Sequence, residues 1–190
     1  MAIVAEKNQS ENEKKIYTFL TLELAQKAID KDANNPECHK WLAIAIGSIS
    51  DYIGSKEKIQ NGFKFKEHVD RAIKLKPNDP TLHHMLGRWS LEVANLTWIE
   101  KKVAVTLFAR VPEATYNEAL QSLLTAQKFK PDWKDNIFYI SKTQILMKHY
   151  EEALEWIERG LKIKNKGEDD ELAHERLLDL KTKYNKYKSS

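Results

Sequence analysis

With 190 residues, 42% of them hydrophobic, and 31 basic against 28 acidic side chains for a formal charge of +3, the chain can bury one core and is too weakly basic to announce a nucleic-acid partner. A lone Cys38 excludes an internal disulfide and six scattered histidines make no zinc framework, which together point to a reducing, cytoplasmic setting. The longest unbroken apolar run, Trp41 to Ile46, is six residues. A bilayer span needs about 20, and the N-terminus lacks the apolar stretch of a signal peptide, so nothing here crosses a membrane by itself.

In chain order, residues 1–11 are polar and read as a flexible N-terminal segment, leaving 12–190 as a single domain. From Asn12 to Lys31 the apolar residues Ile16, Leu20, Leu24 and Ala28 recur every four positions, which predicts an amphipathic helix. Asn35-Pro36 and Asp79-Pro80 each place an N-cap beside a proline at the first helical position, and so open two further helices. About ten residues, Asp51 to Gln60, lack strong breakers apart from Gly54 and should lengthen the helices on either side of a turn near Ile53 to Ser55. Thr97 and Glu100 form a capping-box signature, after which Trp98 to Ala109 reads as an inserted helix with Ile99, Val103, Leu107 and Phe108 along one side and Pro112 as its stop. Thr115 and Glu118 repeat that signature at the next start. Asp169 to Lys188 forms a closing helix with Ala173, Leu177, Leu180, Tyr184 and Tyr187 at alternating spacings of 4 and 3.

Four of these helices share one pattern. Ala119, Leu123, Ala126 and Pro131 have offsets of 4, 3 and 5, and the same offsets hold for Phe65, Val69, Ala72 and Pro77, for Thr21, Ala25, Ala28 and Ala33, and for Ala153, Ile157, Gly160 and Asn165. This is the second-helix pattern of a tetratricopeptide hairpin. The matching first helices carry Leu42-Ala43, Leu86-Gly87 and Ile140-Ser141, where a small residue lets two antiparallel helices approach closely. Ala33, Pro77 and Pro131 lie ten residues before Ala43, Gly87 and Ser141, so the register holds across every junction. The fold is predicted to be all-α: a tetratricopeptide-like solenoid of helical hairpins with an inserted helix and a C-terminal capping helix. The first second-type helix has no first helix before it, so the chain reads as a fragment of a longer protein whose upstream partner helix, and any membrane anchor, lie outside it.

Gly62 to Leu75 (GFKFKEHVDRAIKL), Leu86 to Trp89 (LGRW), Trp98 to Lys102 (WIEKK) and Tyr139 to Lys142 (YISK), in this order and with both insertions, resemble the C-terminal repeat domain of the regulator of microtubule dynamics family. The resemblance runs from about Glu13 to the closing helix. It implies a non-enzymatic protein associated with microtubules and spindle poles, acting in microtubule dynamics and chromosome segregation. A related member tethers the outer mitochondrial membrane to the endoplasmic reticulum, and its repeat domain binds and transfers phospholipids. The alternative expectation is therefore a phospholipid-binding domain held at those surfaces by an anchor outside this chain. The two-phenylalanine-type motif of that member, which lies upstream of its repeats, is not found.

Enzyme chemistry finds no foothold: there is no phosphate-binding glycine loop, no His-Glu-x-x-His pair and no serine elbow, and no cofactor is implied. Glu171 and His174 have the spacing of half a di-iron site, but no second copy exists, and an exposed helix face is the simpler account. His83 and His84 are about 100° apart on a helix and cannot share a metal from one face. Cys38 reads as a small packed residue.

As a binding module, the chain offers the side of its first helices that would face a concave groove. Taking Ala43, Gly87 and Ser141 as packed, the residues three places before and one place after each are Lys40 and Ile44, His84 and Arg88, and Phe138 and Lys142. Lys40, Arg88 and Lys142 would line a groove at one cation per repeat, suited to an acidic peptide or to an anionic phospholipid. Asp135 and Phe138 stand where a clamp for a terminal carboxylate would need polar or cationic groups, so chaperone-tail binding is discounted. Trp41 and Trp89 read as core, Trp133 opens a helix, and Trp98 is a candidate contact residue. Lys181, Lys183, Lys186 and Lys188, with no acid among the last ten residues, form a second basic surface that could draw the chain to microtubules or to anionic lipid.

Overall fold

The structure, a computed structural model, describes residues 11–108 and 113–188. Among them the regular elements are helices, with no strand: α1 (Glu11–Lys31), α2 (Pro36–Ser48), α3 (Ser55–Leu75), α4 (Pro80–Ala94), α5 (Trp98–Phe108), α6 (Tyr116–Phe129), α7 (Lys134–Leu146), α8 (Tyr150–Lys162) and α9 (Glu168–Tyr184). Of the segment expected to be flexible, residues 1–10 lie outside the described residues.

The starts of α2, α4 and α6 follow the local chemistry read from the sequence. Asn35 Oδ1 accepts from the Glu37 N–H at 2.9 Å and Asp79 Oδ1 from the Thr81 N–H at 2.9 Å, each beside a proline whose missing N–H is not needed there. At α6 both halves of the capping box form: the Thr115 N–H donates to Glu118 Oε2 at 2.7 Å and the Glu118 N–H to Thr115 Oγ1 at 3.2 Å. Of the extra stretch Asp51 to Gln60, Ser55 to Gln60 lengthen α3 and none lengthens α2. α2 keeps 13 residues and passes into a single 3-10 turn, Ile49–Tyr52, while α3 grows to 21.

The helices pack as two compact units: residues 1–77 with 98–112, and residues 78–97 with 113–190. In the first, α2 packs between α1 and α3, burying Ala25 and Ile29 of α1 against Leu42, Ala45 and Ile46, with Cys38 and Phe65 at the edge. His39 is buried there, its Nε2 3.0 Å from the Ala33 carbonyl and its Nδ1 2.9 Å from Nδ1 of His68. The stripe Ile16, Leu20 and Leu24 lies on the opposite, exposed side of α1. Trp41, expected in the core, is 52% exposed. With Leu42, Ala43, Ala45 and Ile46 all buried, position 41 falls on the far side of the helix, and side-chain type does not override that angle. The inserted helix α5 belongs to this unit and leans on α3. Ala104 is buried, whereas Ile99, read as part of one apolar side, is exposed together with Trp98. Pro112 and the side chains of Leu107 and Phe108 lie outside the described residues.

In the second unit, α4 pairs with α6, α7 with α8, and α9 rests on both α7 and α8. Leu120, Leu123 and Ile140 form one buried cluster; Ile137, Leu154, Ile157 and Leu177 form the next. Two glycines set the closest approaches. A Cβ at Gly87 would lie 2.6 Å from Leu123 Cγ, and one at Gly160 would lie 2.7 Å from Leu177 Cδ1 and 2.9 Å from Ile137 Cγ2. Both glycines therefore follow from the spacing between helices.

Candidate functional site

α4 and α7 present their outer faces around Tyr139. The Arg88 guanidinium lies over the Tyr139 ring, 4.7 Å from its centroid, and Lys142 Nζ is 5.9 Å from the same centroid. Phe138 meets Tyr139 edge to face at 5.2 Å, and Arg176 of α9 covers the Phe138 ring at 5.6 Å. Two carboxylates are interleaved: Glu92 is 3.7 Å from Lys142 and Asp135 is 3.6 Å from Arg176. Three cations, Arg88, Lys142 and Arg176, thus face two anions around an aromatic floor. Arg88 is exposed, and a guanidinium lying over a ring can still grip a carboxylate by two parallel hydrogen bonds.

The floor is held from below. His84, expected in the groove, is 4% exposed and belongs to the interior. A residue three places before a packed one is only about 60° away from it around the helix, and His84 falls beneath Trp133, 4.3 Å between ring centroids, and against the edge of Tyr139 at 5.5 Å. Asn136 donates through Nδ2 to the Leu123 carbonyl at 2.9 Å and to Gln127 Oε1 at 2.7 Å. Its Oδ1 is therefore an acceptor, so His84 Nδ1 carries a proton and donates to it at 2.9 Å. His84 Nε2 is 3.4 Å from Asp135 Oδ2. Burial would raise the Asp135 carboxyl, but the hydrogen bond from His84 and the charges of His84, Arg88 and Arg176 outweigh it and hold the group below the ordinary carboxylate range. Burial pushes the Tyr139 phenol upward, against Arg88, so the ring stays neutral at physiological pH.

The other expected residues sit elsewhere. Lys40 and Ile44 belong to α2 of the first unit, where Lys40 Nζ pairs with Glu37 at 2.7 Å and its side chain is mostly covered, while Ile44 is half-buried. Glu171 and His174 form no metal group: His174 Nδ1 faces Lys134 Nζ at 3.4 Å, and no cluster of three possible ligands exists among the described residues. The C-terminal lysines are exposed, or in Lys181 partly exposed, but their segment is anchored. Tyr187 stacks on Tyr150 at 4.1 Å and Tyr184 on Tyr150 at 5.7 Å, folding the segment back on α8. Lys188 and Lys181 then meet Glu158 at 2.9 and 3.7 Å, and Lys183 and Lys186 lie over the rings of Tyr184 and Tyr187. The hollow beside them, about 200 Å³, is lined by Glu151, Leu154, Glu155, Glu158 and Lys188, so the region is mixed in charge. Tyr139, Arg176 and Glu92 were missed as site residues; the spacing rule admits two positions per helix, and they occupy neither.

Comparison with known proteins gives the same fold and a family. MamA, a solved structure, aligns over 94% of this chain and 92% of its own with a TM-score of 0.55 at 16% identity, and a second MamA structure gives 0.56 at 12% identity. These are likenesses of fold alone. The family described as "Regulator of microtubule dynamics protein 1-3" matches residues 1–187. Regulator of microtubule dynamics protein 3 of Bos taurus is 37% identical over 178 residues, 93% of this chain and 38% of its own length. Protein 2 of Homo sapiens is 35% identical over 171 residues, 90% and 42%, and protein 1 of Bos taurus 37% identical over 152 residues, 80% and 48%. The chain spans less than half the length of these relatives. With a family match over nearly its full length, the chain belongs to the regulator of microtubule dynamics family.

Proposed function

We infer that this chain is a non-enzymatic interaction module acting in microtubule dynamics, including spindle function and chromosome segregation, and that its second unit takes an acidic segment on the surface around Tyr139. Family membership supports the role in microtubule dynamics. The observation that carries the site is Arg88, exposed and lying over Tyr139 beside Lys142, a cation held in place by the ring. Pre-ordering of that kind reduces what binding must spend on side-chain freedom. The C-terminal lysines support the reading less, because Lys181 and Lys188 are already engaged by Glu158.

The test is co-sedimentation with microtubules at low and physiological salt, comparing the chain with Arg88→Glu plus Lys142→Glu. Reversing an exposed and a half-exposed charge should lower affinity by more than tenfold while the variant stays folded, as its thermal melt would show. Undiminished co-sedimentation of a folded double variant removes the site. A second reading, an anionic phospholipid held at a mitochondrial or reticulum surface, draws support from Phe138, an apolar group between the cations. Flotation with phosphatidylserine vesicles that depends on Arg88 and Lys142, while microtubule binding does not, would move the assignment to lipid.

A further inference from the structure

α1 carries an apolar face that no described helix covers. Ala25 and Ile29 hold it to α2, while on the other side Ile16, Tyr17, Leu20 and Leu24 are 44–64% exposed. At about 100° per residue, Glu13, Ile16, Leu20, Leu24 and Lys27 fall within a sector of about 80° centred on Leu20. Their spacing is symmetric about that leucine: Ile16 and Leu24 stand four residues to either side, Glu13 and Lys27 seven. The two ends carry opposite charges. Turned end for end, this face is complementary to itself.

We propose that two copies of the chain associate through α1, antiparallel, about a two-fold axis at Leu20. Leu20 meets the Leu20 of the second copy, Ile16 and Leu24 interleave with their counterparts, and Glu13 of each copy faces Lys27 of the other. Such an isologous contact uses every residue twice, so one favourable charge pair appears as two. A parallel arrangement would set Glu13 against Glu13 and Lys27 against Lys27, which the charges oppose. In the monomer Lys27 pairs with Glu23 at 2.5 Å, an exposed pair one turn away, and such pairs contribute little against a new partner. One helix per copy makes a small interface, so the dimer is expected to be weak, with a dissociation constant on the order of 10 μM.

Sedimentation equilibrium of the intact chain from about 1 to 300 μM reads this directly, since that range brackets the expected constant. The wild-type chain should pass from monomer to dimer. Leu20→Glu, at an exposed position, should leave the thermal melt unchanged and keep the chain monomeric throughout. Glu13→Lys creates two like-charge pairs and should raise the dissociation constant about tenfold, while Glu13→Lys with Lys27→Glu restores the pairing and returns it to near wild type. A monomer at every concentration overturns the proposal, as does a dimer indifferent to Leu20→Glu. A dimer that Leu20→Glu abolishes but the charge exchange fails to restore overturns the antiparallel register.

Discussion

Replacing Gly87 with alanine should destabilise the protein although alanine is the better helix former. In the interior of α4 the exchange by itself would gain about 1 kcal/mol. Against this, the new Cβ would sit 2.6 Å from Leu123 Cγ, 2.8 Å from Leu123 Cδ2 and 3.1 Å from the Ala119 carbonyl oxygen. Carbon atoms in contact settle near 3.5–4.0 Å, so about 1 Å of separation between α4 and α6 is required, or Leu123 must leave its rotamer. Leu123 is fully buried and the carbonyl is backbone, so neither yields cheaply. An overlap cost of about 2–3 kcal/mol leaves a net loss of about 1–2 kcal/mol, or roughly 3–6 °C in melting temperature for a chain of this size. Gly87→Leu should cost more. Differential scanning calorimetry measures it, and a double-mutant cycle identifies the cause: Leu123→Ala removes the nearest obstruction, so Gly87→Ala should cost less in that background than in the wild type. A Gly87→Ala protein melting at or above the wild-type temperature, or a cycle without coupling, would refute the close approach of the two helices.

Burial, and then the neighbouring His39, hold the His68 imidazole below its ordinary value. The unfolded chain therefore takes up the proton first, and the stability tied to His68 is complete above about pH 6.5 and falls as pH drops toward the folded value; melts at pH 7.5 and 5 should show the loss, and His68→Gln should reduce it. Asp135 also has a lowered folded value, so its contribution is present above the ordinary carboxylate value of 3.8 and is lost as pH falls below it, and Asp135→Asn should flatten the acid limb of a stability profile. Lys134 is fully buried with Nζ donating to Asn165, and burial lowers its basicity; Lys134→Ala should leave the Asn165 acceptor without that donor and lower the urea midpoint by the equivalent of about 1–3 kcal/mol. Glutamine at Lys181, Lys183, Lys186 and Lys188 together should change microtubule co-sedimentation less than reversal of Arg88 and Lys142, measured at the same ionic strength.

The hairpin architecture was legible because it rests on spacing. Ala119, Leu123 and Ala126, or Ala153, Ile157 and Gly160, mark where one helix meets another, and all of these are buried. The caps at Asn35, Asp79 and Thr115 were equally legible, being contacts within three residues. Side chains whose role depends on distant helices were not. Position 84 looked open by count along α4, yet Trp133 and Asn136 come down on it from α7. Of the residues chosen three places before a packed one, Lys40 and His84 are covered; of those one place after, Arg88 is exposed and Lys142 half-exposed, as the larger angle from the contact dictates. The contacts of the terminal lysines were not legible, because Glu158 and Tyr150, which organise them, lie some 30 residues upstream on another helix. The stripe of Ile16, Leu20 and Leu24 was correctly periodic, but periodicity does not say which of two faces meets the core.

The placement of α5 governs how this protein can be divided. The helix lies in sequence between α4 and α6 of the second unit but packs on α3 of the first, so the first unit is assembled from two separated stretches of chain. A cut after Pro77 would yield a continuous piece containing α1 to α3, yet it would leave α3 without α5, the helix that packs on it. Folding meets the same constraint during synthesis. The first unit cannot be completed until α4 and α5 have both been made, so its last element must close a loop of more than twenty residues, an entropic step absent from a simple run of hairpins. Dividing the chain between α5 and α6 would keep α1, α2, α3 and α5 on one piece but part α4 from α6, so the first unit could be released whole and the second could not.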